Sequence, residues 1–125
     1  MCNLYRMRRT TSEVGRLFGA SMPSGLNLPP EVYPGYPGLV IRQQDGQRVG
    51  QVMNWGFPLR LKSMKPTSKP KPVNNARDDK LMTPFWRHWF ETPAQRCLIP
   101  FTEFAEAVGP KGKMTRTWIG VTDQE

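Results

Sequence analysis

The chain has 125 residues and a formal net charge of +8 at pH 7, with 18 Lys and Arg against 10 Asp and Glu. This length suits one domain with a modest core, and the positive charge predicts a polyanionic partner, with nucleic acid the first candidate. Two cysteines and one histidine are too few for a closed zinc site, so we expect no metal and no cofactor.

Cys2 carries the most distinctive chemistry of the N-terminal segment. If Met1 is removed, Cys2 gains a free α-amine beside its thiol, and groups titrating near pH ~8 and ~8.5 are both partly nucleophilic at neutral pH. The amine would form a Schiff base with an aldehyde, and the thiol would then close a five-membered thiazolidine. From this residue alone, an incidental cysteine behind a retained Met1 is the favoured alternative.

The first regular element is predicted from a capping pattern. Thr10 and Glu13 stand at the separation of a capping box, which predicts a short helix over residues 12–19. The prolines and glycines that follow predict an extended, turn-rich path over residues 21–38.

The central part of the chain predicts a hairpin, a loop and a second helix. Asp45-Gly46 lies between two apolar stretches and predicts a tight β-turn. Residues 60–73 are rich in Lys and Pro and predict an irregular excursion. Pro84 favours the first turn of a short helix over residues 84–90, whose aromatic side chains are more typical of a core than of a base-stacking platform.

Two strands are predicted in the last third of the chain. Residues 96–101 look like a buried strand, in which Cys97 is expected to be an inert buried thiol. Residues 114–121 look like another strand, after a turn at 109–112. The sequence therefore predicts an α+β class, mostly β with short helices, in a single domain over residues 1–125.

Basic residues accumulate where acidic ones are absent. No Asp or Glu occurs between Asp45 and Asp78, which predicts a basic surface that binds phosphates and loses affinity as salt rises. A solvated Lys/Pro loop without a ligand is about as well supported by the sequence. The residues concerned are Arg48, Arg60, Lys62, Lys65, Lys69, Lys71 and Arg77.

Four separated motifs follow one another along the chain: Met1-Cys2, Trp55-Gly56-Phe57, Asn75-Ala76-Arg77, and Arg96-Cys97-Leu98-Ile99-Pro100 followed by Glu106. In order and approximate spacing they resemble the SOS response-associated peptidase family, the abasic-site processing proteins. The family pattern is an initial Met-Cys-Gly-Arg, a Trp-Gly-Leu, an Asn-Ala-Arg-x-Glu, and an Arg-Cys-Leu-x-Pro ending in Glu-Trp.

The resemblance implies a function in the DNA damage response. It implies a mixed sheet or barrel-type domain that captures abasic sites in single-stranded DNA through a thiazolidine on Cys2. Asn75 and Glu106 would complete the central site, and the protein would be a monomer in the bacterial cytoplasm, associated with the nucleoid when bound to DNA. No signal or membrane segment is visible in the sequence.

The sequence also departs from the family pattern. Asn3-Leu4 replaces Gly-Arg, Asp78-Asp79 replaces a small residue and Glu, and Ala107 replaces Trp. Family members continue to a segment with a catalytic His followed by Met-Pro, and this chain has none. We therefore expect it to correspond to the N-terminal portion of the full domain, incomplete on its C-terminal side, with dimerisation favoured if apolar edges are left exposed.

The residues assigned by resemblance each have a second interpretation. The Asn75 amide suits orientation of the Cys2 amine or a sugar oxygen, but it also suits a plain turn. Glu106 suits proton transfer if it is partly buried, with Glu103 as its competitor. Arg77 suits a bidentate phosphate contact. The predicted DNA-binding set also includes Gly56. Trp55 would stack on a base or close the hairpin as a core residue.

Two other functions stay open at this point. One is an N-terminal-nucleophile thiol peptidase, which would use Cys2 and Glu106 and is expected at most to release Met1. The other is a noncovalent single-stranded DNA-binding module, in which the basic loop and the aromatic residues make the DNA contacts and Cys2 has no role.

Overall fold

The computed structural model describes residues 2–121, so the predicted removal of Met1 lies outside the described residues. Two α-helices and eight strands follow one another in this range, with short 3-10 turns at Asp78–Lys80 and Pro93–Gln95. The elements are β1 Tyr5–Arg6, α1 Thr11–Phe18, β2 Glu31–Val32, β3 Pro37–Gln44, β4 Gln47–Asn54, β5 Phe57–Leu59, β6 Lys71–Val73, α2 Pro84–Phe90, β7 Glu103–Val108 and β8 Thr115–Gly120.

Three antiparallel sheets hold the described residues together. The largest has the order β2-β1-β7-β8, and the pairs β3-β4 and β5-β6 form the other two. Tyr5 on β1 pairs with Val32 on one side and Phe104 on the other. Over residues 2–121 the sheets stay open and form no closed barrel, and the predicted mostly-β, α+β class is confirmed.

The local signals for helix α1 and the hairpin are confirmed. The Thr10 hydroxyl accepts from the backbone N–H of Glu13, and the Glu13 carboxylate accepts from the N–H of Thr10 at 2.7 Å, which completes the capping box. The helix starts and ends one residue earlier than predicted. At the hairpin, Asp45 and Gly46 have φ angles of 51° and 77°, as a type I′ turn requires.

Helix α2 also lies where the sequence places it, over Pro84–Phe90. The Thr83 hydroxyl donates to the carbonyl of Lys80 rather than capping the helix. Trp86 is buried, and the Phe57 ring lies against the rings of Trp86 and Trp89 at centroid distances of 5.0 and 5.2 Å. Trp86 and Trp89 therefore pack against Phe57, as the core interpretation predicted, whereas Phe90 is 44% exposed.

The predicted strand over residues 96–101 is wrong. Only Leu98 pairs there, in a single bridge to Ile41 with hydrogen bonds of 2.8 Å in both directions. Leu98 is 56% exposed, and Pro100 has no N–H with which to extend the bridge into a ladder. The strand forms instead over Glu103–Val108.

The buried-thiol prediction for Cys97 fails for the same reason. The residue is exposed, because it lies on this irregular segment and not within a sheet. Its surroundings still partly desolvate the sulfur and raise the pKa of the Cys97 thiol.

Arg6 joins all four strands of the largest sheet. From β1 its guanidinium reaches Glu31 on β2 at 2.7 Å and Glu103 on β7 at 3.4 Å, and it lies 3.6 Å from the ring centroid of Trp118 on β8. Arg8 adds a contact of 3.2 Å to Glu103. These contacts fix the strand that leads directly from Cys2.

Leu4 explains one departure from the family pattern, because it is a core residue here. Its side chain is completely buried, and its carbonyl accepts from the N–H of Ala105 at 2.8 Å.

Leu4→Ala is expected to lower the free energy of unfolding by about 2–5 kcal/mol, measured by urea denaturation. Leu17→Ala is the matched control, since Leu17 is 69% exposed and should shift the value by no more than about 0.5 kcal/mol. Equal effects of the two substitutions would contradict this placement of Leu4.

Candidate functional site at the N-terminal strand

Two amides hold the backbone of Cys2. The Nδ2 groups of Asn74 and Asn75 both donate to the carbonyl oxygen of Cys2, at 2.5 and 2.8 Å. Both asparagines follow directly on β6, which is paired with β5. A segment more than 70 residues away in sequence therefore holds Cys2, the candidate nucleophile, by its backbone.

The Cys2 thiol lies in a partly desolvated place. The residue is half-buried, and its Sγ is 3.7 Å from the carbonyl oxygen of Leu4. Burial raises the pKa of the Cys2 thiol, and the negative charge of Glu106 raises it further against the opposing effect of the Leu4 contact. The Cys2 thiolate therefore forms at a higher pH than that of an ordinary cysteine.

Glu106 reaches the same place from β7. Beyond the pairing of Tyr5 with Phe104, the N–H of Ala105 donates to the carbonyl of Leu4, and Glu106 is the next residue on β7 after this contact. The competing carboxylate, Glu103, forms ion pairs with Arg6 and Arg8. Of the two acidic residues, Glu106 is the one whose charge acts on the Cys2 thiol.

The raised pKa of Cys2 predicts slow thiol chemistry at neutral pH. In a Cys97→Ala protein that retains Met1, alkylation of Cys2 by iodoacetamide should keep accelerating above the pH at which a small free thiol has levelled off, because the Cys2 thiolate forms only at higher pH. Glu106→Gln removes a charge that raises this pKa, so the midpoint of the rate profile should move to lower pH. A midpoint at or below that of the free thiol would contradict the assignment.

Trp55 and Gly56 stand at the edge of this site. The Trp55 ring meets Tyr5 edge to face at a centroid distance of 4.9 Å and is half-buried, so it has one packed side. Gly56 has a φ of 111°, and a Cβ there would lie 3.0 Å from the Cβ of Pro72. Glycine thus permits the close approach of this turn to β6.

The basic residues divide into two groups. Three arginines already have partners: Arg48 donates to the carbonyl of Phe18 at 2.9 Å, Arg60 to the carbonyls of Lys65, Pro66 and Ser68, and Arg77 pairs twice with Asp79 at 2.9 Å. A phosphate at Arg77 would therefore compete with Asp79. The second group consists of lysines, and like the three arginines they are exposed: Lys62, Lys65, Lys69 and Lys71.

The predicted residues differ in their distance from Cys2. Asn75 and Glu106 reach it, and the four exposed lysines lie between Gly56 and Asn74, on the chain that runs from one side of the site to the other. Arg48 does not belong there, since it lies near the hairpin turn, seven residues or about 23 Å of extended chain from Trp55.

Sequence reasoning missed Asn74. The Asn74-Asn75 doublet was visible, but side-chain amides in a polar segment first suggest a turn.

Among residues 2–121, no group of three or more His, Cys, Asp or Glu is placed to hold a metal ion. Neither helix of this range has the length and hydropathy of a membrane span.

Comparison with known proteins identifies both a family and a fold. A family model described as SOS response associated peptidase (SRAP) matches residues 1–124. A crystal structure of a protein from Bordetella bronchiseptica superposes on 94% of the chain with a TM-score of 0.69 at 23% sequence identity, which shows the same fold. The match covers 56% of that protein, so the chain spans little more than half its length. No curated protein matches the sequence.

Proposed function

Because the chain belongs to the SOS response associated peptidase family, we propose that it captures abasic sites in single-stranded DNA on Cys2 after removal of Met1. The family description associates its members with the SOS response and with peptidase-like chemistry. The covalent step, the lesion and the DNA partner are our proposal.

The observation that carries the proposal is the convergence on Cys2 of two amides and one carboxylate. Asn74 and Asn75 fix the Cys2 carbonyl, and Glu106 acts on the thiol through its charge. This arrangement holds the amine and the thiol of a trimmed Cys2 on one rigid segment, so an aldehyde would meet both groups in a set orientation.

The proposed reaction needs no redox partner. The neutral Cys2 amine attacks the aldehyde carbon of the ring-opened abasic sugar, and a water molecule leaves as the imine forms. The sulfur then adds to the imine carbon, and its proton passes to the nitrogen as the thiazolidine closes. The thiol supplies that proton, and Glu106, whose charge acts on Cys2, would accept and return protons in both steps.

Exposed lysines would supply the attraction for DNA. Lys62, Lys65, Lys69 and Lys71 lie on the segment that leads to Asn74, so a DNA backbone held there would be brought to the site. The same lysines support the second candidate, a noncovalent single-stranded DNA-binding module.

Intact-protein mass spectrometry separates these functions. The protein is incubated with a single-stranded oligonucleotide carrying one abasic site and, in parallel, with the undamaged oligonucleotide. We expect loss of Met1 and, with the abasic DNA only, a species equal to protein plus DNA minus one water. Binding in a gel-shift assay without such a species would favour the noncovalent module, and cleavage of added peptides would favour a thiol peptidase.

A further inference from the structure

Strand β8 forms an unpaired edge of the largest sheet. It pairs with β7 along its whole length, and no strand within residues 2–121 pairs with its other side. The N–H of Ala105 donates to Leu4 on β1, so the backbone groups of the next residue, Glu106, point toward β8. There they meet those of Thr117, its partner in the register. By the same alternation, three residues of β8 direct their backbone N–H and C=O groups away from the sheet: Arg116, Trp118 and Gly120.

An apolar groove lies at the end of this edge. It has a volume of about 640 Å³, and Val121, the residue after β8, lines it together with residues of helix α1 and of the segment 100–102. Seven of its nine lining residues are apolar, and the other two are Arg9 and Thr102. Half or more of each of Leu17, Phe101 and Val121 is exposed there. Large apolar side chains gathered in one exposed groove are typical of an interaction site.

The charge of the β8 edge selects the partner. Three exposed basic residues lie in the stretch 109–121, with no acidic residue among them: Lys111, Lys113 and Arg116. The carboxylates of the sheet lie on β7 and β2, further from this edge. Two copies of the chain would bring like charges together, which opposes self-pairing. An extended segment with acidic side chains would be attracted instead.

We propose that β8 accepts an extended, acidic segment of a partner protein as an added strand. The backbone of that segment would bond to the outward N–H and C=O groups of β8, and its acidic side chains would lie near Arg116. An apolar side chain at its other end would enter the groove beside Val121. In strand addition of this kind, main-chain hydrogen bonds give affinity and side chains give specificity. This inference goes beyond the proposed function and makes no use of Cys2.

Synthetic peptides test the surface directly. A peptide of about eight residues, at ~3.4 Å per residue, is long enough for β8 and the groove. It carries glutamates toward one end and a leucine at the other, and its affinity for the full chain is measured by fluorescence anisotropy. The control peptide has lysine in place of each glutamate. We expect the acidic peptide to bind about tenfold more tightly, and less so as salt rises. Equal affinity of the two peptides would overturn the choice of an acidic partner.

A charge reversal locates the binding site on β8. Arg116→Glu should weaken the acidic peptide about tenfold and strengthen the lysine peptide. Lys80→Glu makes the same change of charge at an exposed residue of the 3-10 turn Asp78–Lys80 and should leave both affinities unchanged. Circular dichroism checks that both variants are folded. If the two variants weaken the acidic peptide equally, the peptide is responding to net charge and the proposed site is wrong.

Methylated peptides separate an added strand from a charge contact. Methylation of a backbone nitrogen removes its N–H donor, and alternate N–H groups of a strand face opposite edges. Methylation of one alternate set should therefore abolish binding, whereas methylation of the other set should leave it intact. Equal affinity of the two methylated peptides would contradict strand addition.

Sedimentation of the protein alone tests the alternative occupant, a second copy of the chain. We expect a monomer, because the basic residues of two β8 strands would repel each other. A dimer that the acidic peptide dissociates would show that a second copy covers β8, and it would overturn the proposal.

Discussion

Cys2→Ala is expected to abolish the adduct with abasic DNA, with a loss of at least about 100-fold in rate, because the alanine amine can form only a reversible imine. Cys2→Ser tests the same point with an isosteric side chain, since its hydroxyl is a far weaker nucleophile at neutral pH. For both variants, the imine should dissociate during analysis of the untreated sample. Reduction with borohydride should convert it into a stable adduct that mass spectrometry detects. The measurement is the fraction of adduct over time by intact mass.

Cys97→Ala is the matched control for the Cys2 variants. Cys97 is the other cysteine of the chain and is exposed, but as an internal residue it has no neighbouring amine and cannot close the ring. Its replacement should leave the adduct at Cys2 in place. If Cys2→Ala gave a full yield of adduct without borohydride treatment, the thiazolidine would be rejected and another nucleophile would have to form the adduct.

Asn74→Ala and Asn75→Ala are each expected to slow capture about tenfold, because each removes one of the two hydrogen bonds that fix the Cys2 carbonyl. A hydrogen bond of this kind contributes about 0.5–1.5 kcal/mol. The double variant should lose more than either single one, and by a non-additive amount, since both amides act on one oxygen atom. The measurement is the single-turnover rate of adduct formation.

A control separates positioning from binding. Affinity for undamaged single-stranded DNA should be unchanged in both variants, because the two amides act on the Cys2 carbonyl and not on the basic segment. Asn27→Ala, an exposed asparagine in the turn-rich stretch before β2, should change neither quantity. If Asn75→Ala captures the lesion at the unchanged rate, the role assigned to Asn75 is wrong.

The elements that the sequence predicts correctly are those with a local cause. The Thr10–Glu13 capping box, the Asp45-Gly46 turn and Pro84 at the start of α2 act within a few residues of one another. The strand predicted over residues 96–101 had only an apolar run to support it. Its single bridge joins Leu98 to Ile41, a residue more than 50 positions earlier, which no short window contains.

The candidate site shows the same limit. The chemistry of Cys2 followed from its place in the chain, but Asn75 and Glu106 came from resemblance, and composition alone favoured a turn for Asn75. Asn74 was missed because its role depends on a hydrogen bond between the residue that follows β6 and the distant Cys2. Contacts over such separations are properties of the folded chain and have no signature in a single sequence.

The central position of β1 has a mechanical consequence. DNA joined to Cys2 would be tethered at the end of a strand that is bonded to β2 on one side and β7 on the other, with Arg6 bound across the sheet. Tension from an enzyme moving along the DNA would pull β1 along its own axis. The backbone hydrogen bonds to β2 and β7 would then resist together, instead of breaking one after another. A short strand in this position is thus a stronger anchor than its two residues suggest.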